Sequence, residues 1–499
     1  MSRPLHQNEP LALRIKRLAP GYALNPAIHV GGQYYTYAEL MLLVEKIRGM
    51  IPVDKSYQRI AVFCNDDIYT YASILAINLY GAAYVPLNRK YPRERNRLIL
   101  QESKSELILG PGMGSASELA SELKVINTAG EDHTGQGMQD NRSSDQQDLC
   151  YILFTSGSTG EPKGVPVSNS NLNAFFSHFL RNYDFNSSDR FLQTYELTFD
   201  VSVFSFFMPL LVGACCYILP DEGIKPVKMI EHIRRFEITV VSMVPGVLKY
   251  LEKYLPEIKA ESLRYSFFSG DALQHALAAK WQQCIGTAKI HNCYGPAETT
   301  IVCTSYIFDE SISEKESVNG IVPLGKPFEG MEFMIINESN EKVTKGELCF
   351  SGDQLIRSYT RDEHNDRFFD HDGKRFYKTG DLAGLNGSGN LVFYGRADSQ
   401  VKIDGYRVEL GEIEHVLRKL CGFNTKVLTV PGDGNNRLAA FIEAEVIDLN
   451  RLKEALAATL PAYMVPRHFF HVASFPLNTN GKTDLKALKS LYLKENTHG

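Results

Sequence analysis

Residues 150–164 read CYILFTSGSTGEPKG, an apolar run that passes directly into a loop of glycines, hydroxyls and one lysine. Glycine permits positive φ and close approach of the backbone to a ligand, and hydroxyls and an ammonium group donate hydrogen bonds. The GxxxxGK[ST] spacing of the Walker-type loop is absent, and a flexible Ser/Gly turn is the alternative interpretation. A strand ending in such a donor-rich loop predicts a phosphate-binding site. Its residues are Thr155, Ser156, Gly157, Ser158, Thr159, Gly160 and Lys163.

Short apolar segments and helical patterns alternate along most of the chain. The apolar, β-rich segments are IAVFCN (60–65), AAYVPL (82–87), ELILG (106–110), CYILFT (150–155) and ITVVSMV (238–244). Helical periodicity lies between several of them, as in residues 68–81 and 226–237. This alternation predicts an α/β layered fold with largely parallel sheets. The almost entirely polar residues 128–148 predict a surface loop that leads into the strand at 150.

The pattern restarts after Arg396 as a second, smaller unit. Its β-rich and helical segments are residues 401–404, 409–420, 426–430, 437–444 and 449–460. We therefore expect a large N-terminal layered α/β domain with parallel sheets over residues 1–397. A small, mobile α+β C-terminal domain is expected over residues 398–499, with Asp398 at the joint.

Composition excludes several classes of protein. The 499 residues are 44% hydrophobic and 22% charged, which is typical of a globular protein, and the net charge of -5 gives no basic field for nucleic acid or an anionic membrane. No signal-peptide pattern is present, and the most apolar stretch, residues 203–219, is interrupted by Pro209 and Gly213 and is too short to span a membrane. Nine cysteines without a CxxC pair or metal-ligand spacing predict buried free thiols in a reducing cytoplasm. We expect a cytoplasmic monomer.

Further blocks follow one another in a definite order along the chain. They are Tyr35–Leu40, Ala83–Leu87, Tyr91–Arg95, Asn292–Thr300, Tyr377–Leu382, Gly395–Glu409 and Pro476–Asp484. Together with the loop at 155–164, they resemble the blocks of the adenylate-forming enzymes, the superfamily of acyl-CoA ligases, luciferases and nonribosomal peptide synthetase adenylation domains. Val401-Lys402 and the Asn-Gly-Lys ending are more similar to amino-acid adenylation enzymes, including the stand-alone D-alanine–carrier protein ligases, than to CoA ligases.

Two departures from the family pattern matter. Ser269 stands where the D-alanine ligases carry a cysteine, which disfavours a D-alanine assignment. After the Gly-Glu-Leu-Cys block at 346–349, the family usually has a glycine-rich segment. This chain has Gly352-Asp353-Gln354-Leu355 there, which affects the geometry of the loop that these residues form.

The resemblance implies ATP and Mg²⁺ as cofactors and assigns roles to named residues. A substrate carboxylate must attack the α-phosphate of ATP, and Lys482 is the implied cation that reduces the repulsion between these anions. Glu298 matches the Mg²⁺-binding carboxylate, and Asp381 matches the acceptor for the ribose hydroxyls. Without the family context, an exposed lysine and solvated carboxylates would be the ordinary interpretation. The other implied ATP-binding residues are Gly270, Asp271, Asn292, Cys293, Tyr294 (against adenine), Gly295, Thr299, Tyr394 and Arg396 (beside the ribose).

Asp200 indicates the substrate class. It lies in an apolar run, where an unpaired carboxylate would be costly, and by the resemblance it binds the α-ammonium group of an amino acid. The alternative is a helix N-cap. The implied pocket contains Asp200, Val201, Phe204, Ser242, Phe267, Ser269, Cys293, Ile301, Val302 and Lys482. Because the wall positions beside Asp200 are uncharged and two are phenylalanines, we expect a small or medium uncharged amino acid. Alanine, serine, proline or valine is favoured over tryptophan or arginine.

The resemblance also implies a second step. The small domain would rotate about Asp398 so that the loop with Gly405 and Arg407 faces a thioester-forming site. No carrier domain follows Thr483–Gly499, so we expect the acceptor to be the phosphopantetheine thiol of a separate carrier protein, or coenzyme A. Two alternatives remain: an acyl- or aryl-CoA ligase acting on a plain carboxylic acid, and a non-catalytic ligand-binding homologue.

Overall fold

The computed structural model confirms an α/β fold whose sheets contain parallel strands. It describes residues 9–53, 56–112, 119, 123–130, 149–157, 162–398, 400–432, 436–476 and 483–496. The predicted surface loop at 128–148 lies almost entirely outside these residues.

The chain forms two compact units. The larger unit comprises Met1–Arg89, Leu100–Phe154 and Gly164–Ala397, and the smaller unit comprises Lys90–Ile99, Thr155–Lys163 and Asp398–Gly499. The smaller unit therefore includes two short segments from the first half of the sequence, one of which is the predicted phosphate-binding loop. The division into domains 1–397 and 398–499 with a hinge at Asp398 stays a prediction.

The main sheet of the larger unit has nine strands. In spatial order they are Lys326–Pro327, Thr304–Ile307, Lys289–Tyr294, Tyr265–Phe268, Val240–Met243, Arg190–Gln193, Cys215–Ile218, Pro26–Val30 and Gln33–Thr36. The strands from Lys289–Tyr294 to Pro26–Val30 in this order are parallel, and antiparallel strands flank them at both edges. The predicted strand at 238–244 lies in the middle of this sheet.

Two further sheets belong mainly to the larger unit. A six-stranded sheet contains the other four predicted strands, in the order Lys124–Asn127, Leu107–Gly110, Arg59–Cys64, Ala83–Asn88, Leu149–Thr155 and Lys163–Ser168. A five-stranded antiparallel sheet contains Met331–Ile336, Lys345–Gly352, Phe368–His371, Lys374–Leu385 and Leu391–Arg396.

Capping residues define the ends of some of the helices. Thr36 forms a capping box with Glu39, and Asp67 caps the next helix, which ends at Gly81 with φ 99. Helices of the larger unit are Leu11–Leu18, Tyr37–Met50, Ile68–Tyr80, Asn169–Asn182, Val201–Val212, Lys225–Arg235, Pro245–Leu251, His275–Cys284 and Glu310–Glu316, and Arg93–Ser103 belongs to both units. Short 3₁₀ helices are Ala19–Tyr22, Glu252–Glu257, Ala297–Thr299, Asp362–Arg367 and Ala462–Met464.

The smaller unit has its own core. It contains the strand pair Gln400–Ile403 and Tyr406–Glu409, the three-stranded sheet Thr425–Pro431, Asn436–Glu443 and His468–Val472, and the helices Leu410–Cys421, Leu449–Ala457 and Leu485–Asn496. Leu410–Cys421 buries its apolar stripe, including Ile413 and Leu417, against the three-stranded sheet. These elements match the segments predicted from the sequence after Arg396.

The apolar stretch at 203–219 lies in the core of the larger unit, as predicted. It forms the buried helix Val201–Val212 and the buried strand Cys215–Ile218. Within the described part of the chain, no helix is both long and apolar enough to cross a membrane. All nine cysteines are free thiols, and seven of them are buried.

One buried carboxylate joins the beginnings of three neighbouring parallel strands. The side chain of Asp189, 1% exposed, accepts hydrogen bonds from the Thr239 hydroxyl at 2.7 Å and from Arg264 Nη1 at 2.7 and 2.8 Å. Each of these residues directly precedes a strand of the nine-stranded sheet. The carboxylate therefore fixes the starting register of the strands whose other ends carry predicted pocket residues.

We expect Asp189→Ala to lower the free energy of unfolding by about 1–3 kcal/mol, because the buried Thr239 hydroxyl and the partly exposed Arg264 guanidinium lose their acceptor. Urea-induced unfolding followed by circular dichroism measures this change. The matched control is Asp184→Ala, whose 92% exposed carboxylate lies 3.7 Å from Nη2 of the same arginine. Exposed pairs contribute about 0–1 kcal/mol, so equal destabilisation by both variants would contradict the role assigned to Asp189.

Candidate active site

Residues of the predicted pocket meet at the carboxyl ends of the parallel strands in the nine-stranded sheet. Ser242 is paired with Phe267 on the neighbouring strand, and Phe268 is paired with Asn292, which directly precedes Cys293. These strands are parallel, and the carboxyl ends of parallel strands form a ligand-binding edge in open α/β sheets. The structure therefore brings together Ser242, Phe267 and Cys293, which are far apart in sequence.

Two phenylalanines of the predicted pocket contact each other inside a cluster of aromatic rings. The ring centroids of Phe204 and Phe267 are 5.5 Å apart in an edge-to-face arrangement. Phe179 lies 4.7 Å from Phe204 and 5.8 Å from Phe267. Tyr183 and His291 lie 5.4 and 5.0 Å from Phe267. Such packing fixes the two phenylalanine rings and limits the room between them.

His291, behind this wall, is uncharged at neutral pH. Burial lowers the pKa of His291 to about 3, and the nearby charges of Lys289 and His178 act in the same direction. Its Nδ1 lies 3.1 Å from the Tyr183 hydroxyl. The group therefore contributes no positive charge that could pair with an acidic side chain of a substrate.

Asp200 directly precedes the helix Val201–Val212, but its side chain makes no capping hydrogen bond to that helix. The alternative N-cap role is therefore not the one seen in the structure. Asp200 instead lies close to Tyr195: burial raises the pKa of Tyr195, the Ser242 and Ser269 hydroxyls lower it, and the negative charge of Asp200 raises it further. Asp200 thus shares its surroundings with other predicted pocket residues.

Tyr195 is a further residue beside Asp200, and it was not among the predicted pocket residues. Its buried hydroxyl lies beside the hydroxyls of Ser242 and Ser269, which lower its pKa as hydrogen-bond partners. Hydroxyls both donate and accept hydrogen bonds, so this group of three is suited to contact a polar ligand. Tyr195 lies before the apolar run that begins at Leu197 and is separated from it by Glu196, so little in the sequence indicated it.

Val201 begins the helix Val201–Val212, and two further predicted pocket positions, Ile301 and Val302, lie in a strained turn. Thr300 and Ile301 have φ of 58° and 71°, and both are β-branched residues that rarely adopt positive φ. Such conformations cost on the order of 1–3 kcal/mol each and persist where neighbouring groups hold them. Ile301 and Val302 are buried, 2% and 5% exposed.

The carboxylate of Asp381, in the five-stranded sheet, accepts hydrogen bonds on both of its oxygens. Asp381 Oδ2 accepts a hydrogen bond from the Tyr294 hydroxyl at 2.5 Å, and Oδ1 accepts one from Arg396 Nη1 at 2.7 Å. Burial and the charge of Asp381 raise the pKa of Tyr294 well above its usual value, so the hydroxyl remains a donor. The structure therefore brings Tyr294, Asp381 and Arg396 together. A carboxylate has about four acceptor positions, which leaves capacity for ribose hydroxyls.

Glu298 fits the requirements of a magnesium ligand. Its carboxylate is 1% exposed and accepts a hydrogen bond from the Tyr359 hydroxyl at 2.5 Å. In the described part of the chain, no group of three or more His, Cys, Asp or Glu residues could hold a metal ion by itself. Mg²⁺ commonly binds through one or two carboxylates together with substrate phosphates and water, so a single buried carboxylate suits it.

The beginning of the predicted phosphate-binding loop is held within the smaller unit. Thr155 ends a strand, and the next residue, Ser156, donates its hydroxyl to the carbonyl of Arg407 at 2.8 Å. The Glu409 amide donates to the same hydroxyl oxygen at 3.2 Å. The predicted phosphate loop and the predicted thioester-step loop are thus hydrogen-bonded to each other. Gly405, with φ 86, forms the turn of the latter loop.

The Gly157 amide, a predicted phosphate donor, donates to Glu412 Oε2 at 3.1 Å. The other oxygen of Glu412 pairs with Arg95 Nη1 at 2.5 Å, and the two side chains are 0% and 4% exposed. Arg95 belongs to the family block Tyr91–Arg95 but had no predicted role, whereas Glu412 belongs to none of the blocks. A glutamate within an amphipathic helix gives no signal in the sequence that it reaches another segment.

Other predicted ATP-binding residues occupy tight turns and strands. A Cβ atom on Gly295 would lie 2.6 Å from the Cα of Val302, so only glycine fits there. Gly270 has φ 85, and the carboxylate of Asp271 accepts from the amide of Ala272 at 2.7 Å.

Several side chains in this group already have partners within the fold. The Asn292 amide donates to the carbonyls of Val322 and Pro323, and the Thr299 hydroxyl donates to the carbonyl of Pro296. The ring of Tyr394 lies 3.9 Å from the Lys345 ammonium group. Lys163 is buried at the start of a strand, and Asp398 accepts from the Gln400 amide. Ser158, Thr159, Gly160 and Lys482 lie outside the described residues.

Comparison with known proteins agrees with this arrangement. The AMP-binding enzyme family matches residues 16–360. Gramicidin S synthase 1 of Brevibacillus brevis is 32% identical over 490 residues, which cover 93% of this chain but only 43% of that protein, so the chain spans less than half of its length. Zwittermicin A synthase ZmaJ of Bacillus cereus is 32% identical over 460 residues, covering 88% of this chain and 86% of that protein.

A solved structure has the same fold over almost its whole length. The crystal structure of the Vibrio cholerae adenylation domain AlmE in complex with glycyl-adenosine-5'-phosphate gives a TM-score of 0.84 at 27% identity and covers 99% of both chains. With the family match over residues 16–360, these likenesses lead to one conclusion. This chain belongs to the AMP-binding, adenylate-forming enzyme family, alongside the adenylation domains of nonribosomal peptide synthetases.

Proposed function

We propose that this chain uses ATP to activate an amino acid as an aminoacyl-adenylate and then transfers the aminoacyl group to the phosphopantetheine thiol of a separate carrier protein. In the first step, a carboxylate oxygen attacks the α-phosphorus of ATP and the bond to the bridging β-phosphate oxygen breaks, so that pyrophosphate leaves. In the second step, the thiol sulfur attacks the acyl carbon, its proton is lost and AMP leaves.

The surroundings of Asp200 are the observation that best supports an amino acid as the substrate. Its carboxylate does not cap the adjacent helix and lies near Tyr195, beside the uncharged walls described above. A carboxylate beside uncharged side chains favours a cationic ligand, and the α-ammonium group of an amino acid is such a group. The likeness to AlmE, whose structure holds a glycyl-adenylate, supports the same class of substrate.

The walls favour a small or medium uncharged side chain. Phe204 and Phe267 contact each other and are backed by further aromatic rings, so little room remains between them. His291 is neutral, so an acidic side chain would be desolvated there without a counter-charge. We propose alanine, serine, proline or valine ahead of lysine, glutamate or tryptophan.

The nucleotide would be held by the residues grouped above. Asp381 and Arg396 are proposed to bind the ribose, Tyr294 to lie against the adenine, and Glu298 to bind Mg²⁺, whose charge would neutralise the phosphates as pyrophosphate leaves. Lys482 is proposed as the cation between the reacting carboxylate and the α-phosphate. Asp398 is proposed as the hinge, and the loop with Gly405 and Arg407 as the thioester-step loop.

Asp200→Ala is expected to lower kcat/KM for the amino acid about 10²- to 10³-fold, because loss of a buried ion pair costs about 3–5 kcal/mol. Amino-acid-dependent exchange of pyrophosphate into ATP measures this, with the KM for ATP as internal control because it should barely change. A wild type that prefers acids lacking an α-amine would instead support the alternative of a CoA ligase for plain carboxylic acids. Absence of turnover with either class would favour a non-catalytic homologue.

Lys482→Ala should abolish adenylate formation but leave transfer from a supplied aminoacyl-adenylate nearly intact, because the proposed role of the cation is confined to the attack on the α-phosphate. Pyrophosphate exchange measures the first step, and loading of a phosphopantetheinylated carrier protein measures the second. Equal losses in both assays would refute this separation of roles.

Phe204→Ala should widen the pocket, so that leucine or phenylalanine gains activity relative to the best small substrate. Phe206→Ala is the matched control, since this neighbour on the same helix packs against Tyr71, 5.1 Å away. Both variants remove a buried ring and should lose about 3–5 kcal/mol of stability, so only substrate preference separates them. The same preference in both variants would show that Phe204 does not line the pocket.

A further inference from the structure

Gln354 lies at the point where the chain departs from the glycine-rich form of its block, and its side chain is buried, 1% exposed. Its Nε2 atom is within hydrogen-bond distance of three backbone carbonyls, those of Thr299 at 3.1 Å, Thr300 at 3.3 Å and Val302 at 2.8 Å. In return, the Gln354 carbonyl accepts the Thr300 hydroxyl at 2.6 Å. One glutamine therefore holds a complete backbone turn.

The turn held by Gln354 is unfavourable by itself. Thr300 and Ile301 are consecutive β-branched residues with positive φ, a conformation that needs support from the surrounding structure. Support on another side comes from Gly295, whose backbone lies against Val302 so closely that no Cβ fits between them. The Gln354 side-chain amide supplies two N–H donors to these three carbonyls, so one donor is shared between two of them.

We infer that Gln354 is a positioning residue for side-chain selectivity. By holding the strained turn, it fixes the directions in which Ile301 and Val302 project toward the bound amino acid. This rests on the proposed function, in which these two residues are pocket walls. Gln354 itself touches no substrate in this scheme and acts only through the turn.

The selectivity ratio distinguishes positioning from a general contribution to stability. A variant that merely reduces the fraction of folded enzyme lowers kcat/KM for every substrate by the same factor. A variant that lets the Ile301–Val302 wall move changes the ratio between a small substrate and a larger homologue. In an apolar pocket, one methylene group typically changes kcat/KM by about 10- to 200-fold between two substrates. A wall that loses its fixed position therefore produces a measurable change in that ratio.

Gln354→Met keeps the volume of the side chain and removes its donors. We expect the kcat/KM ratio between the best amino acid of a pyrophosphate-exchange panel and its next larger homologue to fall about 5- to 20-fold. Gln354→Ala, which leaves room for water to reach the carbonyls, should lower the same ratio. An unchanged ratio in a folded variant would overturn the inference, as would failure of both variants to fold, since Gln354 would then serve stability alone.

Gln282→Met is the matched control. This glutamine also donates its amide to two backbone carbonyls, those of Gly286 and Ala288, each at 3.0 Å, and Gly286 has positive φ. It lies in the helix His275–Cys284 and belongs to no predicted site, so its loss should leave the selectivity ratio unchanged. A fall of the ratio in this control equal to that in Gln354→Met would also overturn the inference.

Failure of the proposed function remains distinguishable from failure of this inference. If the wild type activates plain carboxylic acids rather than amino acids, the proposed substrate class is wrong. The ratio is then measured between two plain acids that differ in chain length, and a fall in Gln354→Met still supports the positioning role. A wild type that activates neither class refutes both.

Discussion

The parallel pairing of Arg190–Gln193, Val240–Met243 and Tyr265–Phe268 is the constraint on which the pocket depends. Hydrogen bonds between parallel strands set a common register, so residues that are distant in sequence arrive at the same edge. Asp189 holds the beginnings of these strands through Thr239 and Arg264, and Ser242 and Phe267 lie at their ends. A shift of one residue would exchange the faces of all the side chains on a strand, so the register that Asp189 helps to fix also determines which side chains face the predicted pocket.

Burial determines the charges around that edge. Among the predicted pocket residues that the structure describes, Asp200 alone carries a formal charge. Burial raises the pKa of the Cys293 thiol to about 12 and lowers the pKa of His291 to about 3, so both stay neutral at physiological pH. The predicted pocket would therefore offer one negative charge beside uncharged side chains. Such an environment strengthens attraction for a single cationic group and penalises any second charge.

The fold was largely predictable from the sequence because buried parallel strands are short, continuous apolar runs, as at 60–65 and 238–244. The family blocks indicated Asp381 and Tyr294, but their contact joins residues 87 positions apart and depends on the folded sheets. Gln354 could be recognised only as a departure from a pattern. Its role depends on a backbone conformation at Thr300 and Ile301 that no propensity predicts. Glu412 was missed because an amphipathic helix gives the same pattern whether its glutamate meets water or another segment.

The hydrogen bond from the Gly157 amide to Glu412 has a consequence for any anion that approaches the loop. An amide carries one proton, so a phosphate that takes this donor must displace the carboxylate. The other oxygen of Glu412 pairs separately with Arg95 Nη1, so release of the Gly157 amide does not by itself break that ion pair. A phosphate at Gly157 would then lie beside the carboxylate of Glu412, and the guanidinium of Arg95, which keeps its charge, is the neighbouring cation that would offset the repulsion between the two anions.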